Sequence, residues 1–248
     1  MKIWIVGAAG HMGRAVYEQV RAAGLDVAGG IDAVNPGDLP FDVYASFDDA
    51  PACGDAIIDF SRPGTLDAML RYATANKLPC VIATTGYSEE QLAAIDEAAK
   101  VIPIFRSANM SIGIALLRQL SRKAAEVLGD AFDVEIVEAH HNRKVDAPSG
   151  TAIMLYDAVK DAYAQPKEAK CGRAGKDAKR QPNEIGIHAV RGGTVTGEHE
   201  VMFLGPMERI SLSHSAESRS VFAVGAVRAA QFLIGKEPGM YNMDDMLA

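Results

Sequence analysis

The sequence predicts an α/β protein in which a parallel-sheet domain is interrupted by an inserted α+β domain with a mixed or antiparallel sheet. Three observations predict it. Up to residue 107, short apolar runs at 2–6, 26–31, 56–60, 80–83 and 102–105 alternate with amphipathic stretches, the pattern of parallel strands joined by crossover helices. Beyond residue 110, runs at 134–139, 185–190, 200–204 and 210–214 read as strands, with no helix between the later ones. A last helical stretch, 221–234, carries small residues at Ala223, Ala226 and Ala230 and is expected to return to the first domain. The expected domains are 1–110 with 218–248, and 111–217 as the insertion.

The elements follow in chain order. Between the first two apolar runs, Met12, Val16 and Val20 recur every fourth residue, the inward stripe of a helix. Ser88 precedes Gln91 by three residues, a capping box that starts a helix over 89–100, and Glu89 and Glu90 suit the positive end of its dipole. A long helix is expected over 113–128. Pro148 disfavours helix at Ala147, so a further helix starts near Ser149, with Leu155, Val159 and Ala162 on one face. The segment 164–184, rich in Lys, Gly, Pro and charge, reads as a mobile loop and a candidate lid.

Composition bounds the function. The 248 residues are 48% hydrophobic and 23% charged, ordinary for a globular protein. The net charge of −7, with no long basic run, argues against a nucleic-acid partner, whose binding depends on neutralising phosphates. A small anionic ligand is compatible, because the local field of a cleft can oppose the global sign. Cys53, Cys80 and Cys171 are odd in number and far apart, which indicates neither a disulfide framework nor a zinc site. The apolar run before Gly7 is too short for a secretory signal, and no stretch reaches ~18 uninterrupted apolar residues. The expectation is a cytoplasmic protein without a membrane partner.

Gly7, Ala8, Ala9, Gly10, His11, Met12 and Gly13 form G-x-x-G-x-x-G between the first strand and the first helix. Glycines permit a tight turn and let backbone N–H groups approach a pyrophosphate, and the helix start adds partial positive charge. In this context the loop points to a Rossmann-type dinucleotide site rather than a bare strand–turn–helix. Asp32 ends the second apolar run, where an acidic side chain grips the ribose hydroxyls; its structural alternative is a strand-end cap. Ala33 follows it, so a 2′-phosphate would meet the Asp32 charge with no adjacent cation. The expected cofactor is NADH in preference to NADPH.

The densest chemistry lies in E-A-H-H-N-R-K-V-D-A-P-S-G-T-A at 138–152, after one apolar strand and before a helix. His140 and His141 titrate near neutrality and suit proton transfer, and Lys144 suits an anionic substrate. One helical turn over 140–144 would put His140 and Lys144 on a shared face. Ser149, Gly150 and Thr151 offer hydroxyls and backbone N–H groups at a helix start, a receptor for a carboxylate. The alternative is a solvated charged turn. His188, His199 and His214 read as structural histidines. No Cys or acidic partner stands at metal-site spacing from the His-His pair, so no metal is expected.

The whole 138–152 segment resembles the signature of the 4-hydroxy-tetrahydrodipicolinate (dihydrodipicolinate) reductases of lysine and diaminopimelate synthesis. Further stretches agree along the chain: V-G-A-A-G-H-M-G-R at 6–14, D-F-S-R-P at 59–63, A-T-T-G-Y at 83–87, S-A-N-M-S-I-G at 107–113, V-R-G-G-T-V-T-G-E-H at 190–199 and S-R-S-V-F-A-V-G-A-V-R at 218–228. The resemblance implies that Gly7 to Met12 hold the pyrophosphate and that Ala83, Thr84, Thr85, Ser107, Ala108, Asn109 and Met110 line the nicotinamide side. It implies His140 as the proton donor or acceptor, Lys144 as a second donor, and His141, Gly150 and Thr151 at the substrate carboxylate. It also implies a homotetramer built by the inserted domain and reduction of a cyclic imine dicarboxylate, with the ligand between the domains. Two departures stand out: Ala33 where some members carry Arg, and Ser107-Ala108-Asn109 for the usual Ala-Pro-Asn or Ala-Ala-Asn. The rivals are another small NAD(P)H amino-acid dehydrogenase, for which H-H-x-x-K with S-G-T has no evident use, and a non-catalytic dinucleotide sensor, which needs neither His140 nor Lys144.

Overall fold

A computed structural model describes all residues, 1–248. The chain divides into two compact units: Met1–Ile112 with Arg219–Ala248, and Gly113–Ser218.

The first unit is built on a seven-stranded, all-parallel sheet. Its strands are β1 (Lys2–Val6), β2 (Asp26–Ile31), β3 (Val43–Tyr44), β4 (Ala56–Asp59), β5 (Cys80–Ile82), β6 (Pro103–Arg106) and, from the end of the chain, β12 (Gly239–Tyr241). The intervening helices are α1 (His11–Ala22), α2 (Leu66–Asn76) and α3 (Glu89–Ala99). The spatial order is β3-β2-β1-β4-β5-β6-β12. The order therefore reverses between β1 and β4, the switch point where ligands sit in open α/β sheets. Trp4, Val6, Ile57, Ile82 and Ile104 alternate into one buried layer beneath α2 and α3, with Leu66, Met69 and Ile95 facing them. Such near-continuous apolar strands belong to sheets covered on both faces.

Local signals hold closely here. Ser88 Oγ accepts from the Gln91 N–H, and the Gln91 side chain returns to the Ser88 N–H, completing the capping box. In α1, Val16 and Val20 are buried as the periodicity predicts, but Gly13 takes the third inward position in place of Met12, because the glycine turn packs there. The helix α6 (Ser220–Leu233) rejoins this unit, lying on α1, β4, β5 and β6, with Ala223, Ala226 and Ala230 all buried. Gly225 explains its small-residue face: a Cβ there would stand 1.7 Å from the Met110 carbonyl oxygen. A short helix, α7 (Met243–Leu247), ends the chain.

The second unit carries α4 (Ile112–Leu128), α5 (Gly150–Lys160) and a mixed sheet of β7 (Asp133–His140), β8 (Glu168–Cys171), β9 (Glu184–Arg191), β10 (Glu198–Leu204) and β11 (Arg209–Ser215). The order is β11-β10-β7-β9-β8: β7 runs parallel to β9 and antiparallel to β10. Period-two alternation puts Val134, Ile136, Ile185, Ile187, Val201 and Phe203 on one face, against Ile114, Leu117, Leu155 and Val159 of the helices.

The segment expected to be a mobile lid is held down. It contains β8, paired in parallel with β9, whose fully exposed residues lack the alternation that marks a strand in sequence. Arg173 and Arg180 then close on Glu135, at 2.8 and 3.2 Å, and His188 joins them at 2.7 Å. Burial alone would raise the Glu135 pKa; Arg173, His188 and Arg180 together outweigh that and hold it below the ordinary carboxylate value. No helix of the structure is long and apolar enough to cross a membrane.

Candidate active site

The residues expected at the site gather in two clusters, one within each unit. In the first unit, parallel pairing brings the carboxyl ends of β1, β2, β4, β5 and β6 to one edge of the sheet. The Gly7–Gly13 turn leaves β1 there. Gly7 has φ +80°, and a Cβ on it would stand 2.6 Å from the Phe60 carbonyl oxygen, so only glycine fits. A Cβ on Gly13 would stand 2.2 Å from the Gly7 carbonyl oxygen. Gly10 is the N-cap of α1 and supplies no side-chain acceptor, which leaves the first N–H groups of the helix for an outside anion. Asp32, just past β2, accepts from the Ala9 N–H at 3.0 Å and from the Val34 N–H at 3.2 Å. The cradle fits a dinucleotide: a close-approach glycine turn at the switch point, with a carboxylate fastened beside it.

The remaining residues expected at the cofactor lie on the same edge. Ala83, Thr84 and Thr85 follow β5, and the Thr84 hydroxyl accepts from the Ser61 N–H at 2.9 Å. Ser107, Ala108, Asn109 and Met110 follow β6; the Ser107 hydroxyl donates to the Asn109 carbonyl at 2.7 Å, and the Asn109 side chain accepts from the Ser111 N–H at 2.8 Å. Asp59 was not singled out by sequence reasoning. It is fully buried at the end of β4, accepts from the Ser61 N–H and hydroxyl and, at 3.1 Å, from the Tyr87 hydroxyl. Burial pushes its pKa up, against the pull of these donors. It braces the loops that follow β4 and β5.

The second unit gathers the 138–152 segment. His140 is the last residue of β7, and its Nδ1 lies 2.6 Å from Oε2 of the fully buried Glu138. Arg191, at the end of β9, meets Glu138 with two N–H groups, each at 2.7 Å. The Ser149 N–H donates to Glu138 at 3.0 Å. Burial would raise the Glu138 pKa, but Arg191, His140 and the Ser149 N–H outweigh it and hold it below the usual range. Ser149 caps α5, accepting from the Ala152 N–H at 3.1 Å, and its hydroxyl lies 3.2 Å from Nε2 of His199. The His199 and His140 rings meet edge to face at 5.2 Å. Burial first, then the neighbouring His140, lowers the His199 pKa to about 4, so its imidazole is neutral.

One expectation needs correcting. Residues 141–149 form turns rather than a helical turn, with the Lys144 N–H donating to the His141 carbonyl at 3.1 Å, so His140 and Lys144 do not share a helix face. Ser149, expected at the substrate carboxylate, bonds through its N–H to Glu138 and through its hydroxyl to Ala152 and His199. His199, read as structural, is buried and bonded to Ser149, and its ring also rests against that of His140. Lys144 is partly exposed and pairs with Asp146 at 2.9 Å. His141 and Thr151 flank the same turn, and Gly150 opens α5 with its N–H at the helix start.

Comparisons with known proteins agree across the length of the chain. The family described as "Dihydrodipicolinate reductase, N-terminus" matches residues 1–110, and "Dihydrodipicolinate reductase, C-terminus" matches 113–247. The 4-hydroxy-tetrahydrodipicolinate reductase of Caldanaerobacter subterraneus subsp. tengcongensis is 49% identical, covering 100% of this chain and 98% of that protein. The enzyme of that name from Clostridium novyi is 45% identical, covering 99% of this chain and 98% of that protein. In fold, the chain is similar to the dipicolinate-bound dihydrodipicolinate reductase of Paenisporosarcina sp. TG-14, with a TM-score of 0.78 at 22% identity over 98% of this chain and 97% of that one.

Proposed function

The chain belongs to the dihydrodipicolinate reductase family, and from that premise we propose that it reduces 4-hydroxy-tetrahydrodipicolinate to tetrahydrodipicolinate with NADH, NADPH being the weaker donor. The observation that carries the catalytic assignment is the anchoring of His140: Nδ1 is bound to a buried carboxylate, while the ring ends a strand beside the start of α5. That is how a proton-transfer imidazole is oriented.

In this reading Gly7 to Met12 hold the pyrophosphate and Asp32 the adenosine ribose. The 83–85 and 107–110 loops line the nicotinamide. When bound, reduced nicotinamide supplies a hydride to ring carbon 4 of the substrate. Overall the reaction consumes that hydride and one proton and releases the 4-hydroxyl as water. His140 gives the proton through Nε2, and Lys144 serves as a second donor and steadies the anionic substrate. His141, the Gly150 N–H and Thr151 grip a carboxylate, with Ser149 holding the turn in shape. Orientation of this kind lowers barriers by ~7–11 kcal/mol in favourable cases.

The preference for NADH rests on Asp32 followed by Ala33, which leaves a 2′-phosphate facing a carboxylate. Assembly is proposed as a homotetramer through the second unit. The sheet face opposite α4 and α5 carries Val137, Val190 and Met202, with Val190 half exposed, and β11 is an open edge. The cytoplasm, where reduced nicotinamide is available, is the proposed location. An assay with enzymatically generated 4-hydroxy-tetrahydrodipicolinate, run with each reduced cofactor, should show substrate-dependent NADH oxidation. The reading fails if neither cofactor is consumed. Light scattering of the purified protein should give four times the 26.4 kDa chain mass, and a stable monomer would remove the assembly proposal.

A further inference from the structure

Glu138 is surrounded by donors. Arg191 Nη1 reaches Oε2 and Nη2 reaches Oε1, both at 2.7 Å, and the Ser149 N–H reaches Oε1 at 3.0 Å. Guanidinium and backbone N–H groups have no acceptor role, so three of the four neighbours can only donate. A carboxylate so placed keeps no proton of its own, in line with a pKa held down against full burial. The fourth neighbour, His140 Nδ1 at 2.6 Å, must therefore bring the hydrogen. Nε2 is left as the only ring atom that takes up or gives a proton.

The surroundings of Nε2 agree. Gly197, which precedes β10, faces it, and a Cβ at that position would stand 3.1 Å from Nε2. The neighbouring His199 is committed to Ser149 through its own Nε2. Arg191 also donates to the Asp146 carbonyl at 2.8 Å, fastening the loop that carries Lys144. The charged and titratable groups around His140 are thus Glu138 on β7, Arg191 on β9, His199 on β10 and, from the loop, Lys144 with Asp146.

We propose that Glu138, clamped by Arg191, is the positioning residue of this site: it fixes the Nδ1–H tautomer of His140 so that Nε2 alone exchanges a proton with substrate, and it holds the Ser149 turn at the start of α5. Gly197 is the companion residue that keeps Nε2 uncovered. The inference rests on His140 being the proton donor, as proposed above.

The test is direct. In enzyme labelled with 15N-histidine and loaded with NADH, long-range 15N–1H correlation spectra report the tautomer, with His140 assigned from the loss of its signals in His140→Gln. The expected wild-type form is Nδ1–H. In Glu138→Gln the amide nitrogen avoids Oε1, where two obligatory donors converge, and takes the Oε2 position, where only Arg191 Nη1 loses its acceptor and the amide must donate to Nδ1 of His140. The tautomer then switches to Nε2–H, and kcat falls about 100-fold while KM for NADH stays within about twofold. Gly197→Ala should keep the Nδ1–H form yet lower kcat about tenfold by covering Nε2. An Nε2–H tautomer in the wild-type enzyme overturns the proposal even should Glu138→Gln not fold, and so does a folded Glu138→Gln that keeps both the Nδ1–H form and kcat. Near-normal kcat in His140→Gln sinks the proton-donor role instead, and the spectra still judge Glu138 separately.

Discussion

The carboxylate of Asp32 accepts a hydrogen bond from the backbone N–H of Ala9, 3.0 Å away, and so ties the end of β2 to the glycine turn after β1. The side chain proposed to read the ribose is thereby part of the loop proposed to hold the pyrophosphate. A hydrogen bond to a charged group contributes roughly 1.5–3 kcal/mol. Asp32→Ser should therefore raise KM for NADH about tenfold or more and change KM for NADPH less, since a repulsive charge leaves with the bond. Initial rates with both cofactors check this. A wild-type KM lower for NADPH than for NADH would defeat the cofactor preference.

Gly13 carries a second prediction about the same loop. Its added Cβ would sit 2.2 Å from the Gly7 carbonyl oxygen and 2.7 Å from Ala8 Cα, both backbone atoms that cannot swing away. Gly13→Ala should lower NADH affinity by more than about tenfold, because the turn must open to admit the methyl. Fluorescence titration with NADH measures it, and unchanged affinity would mean the turn is not the cofactor cradle.

For the proposed acid–base residues, His140→Ala should lower kcat by about 100-fold or more while NADH affinity stays close to normal. Lys144→Ala should lower kcat and raise substrate KM together, because this side chain is proposed to meet the substrate in both the ground and transition states. Steady-state kinetics with varied substrate separate the two patterns. An effect of Lys144→Ala on kcat alone would remove its substrate-binding role.

His199 makes the second unit acid-sensitive. Its folded pKa of about 4 lies below the ordinary 6.5, so the unfolded chain takes up the proton first. Stability is complete above pH 6.5 and is lost as pH falls from 6.5 towards 4, by about 3 kcal/mol in total. Glu138, whose pKa is also lowered, adds a loss at the acid end of the same range. Denaturant melts at several pH values should show this slope, and His199→Gln should flatten it. An equal slope in the variant would show that the proton goes elsewhere.

Glu135 anchors the segment after β8. Its removal leaves Arg173, Arg180 and His188 half-buried without their common acceptor. Glu135→Ala should cost about 2–4 kcal/mol and expose the 172–183 segment to protease. Limited proteolysis against the wild type reads the second effect. Equal cleavage rates would mean that the ion pairs do not hold the segment.

What could be read from the sequence was local. The glycine turn, the Ser88 box, the Pro148 boundary and the switch from alternating strands and helices to successive strands each depend on residues close together in the chain. Asp32 was legible because its distance from the glycine turn is set by one helix. What could not be read depends on register. Glu138 and Arg191 stand 53 residues apart and meet only because β7 and β9 pair in parallel with His140 opposite Arg191. His199 enters through the antiparallel pairing that sets it opposite Glu138. Asp59 sits in a quoted motif but shows its purpose only when Ser61, Thr84 and Tyr87 fold around it. The strand β8 was hidden because all four of its residues face solvent, so no apolar rhythm betrays it.

The return of α6 and β12 to the first unit bears on the order in which a ribosome can deliver this fold. When residue 112 emerges, the nascent chain has six parallel strands, but α6, which covers β4, β5 and β6 on one side, is still unmade. The apolar layer awaiting it stays wet while residues 113–218 are synthesised, on the order of ten seconds at ordinary elongation rates. A stalled chain ending at residue 112 should accordingly be cut by protease at once, whereas the released product should resist.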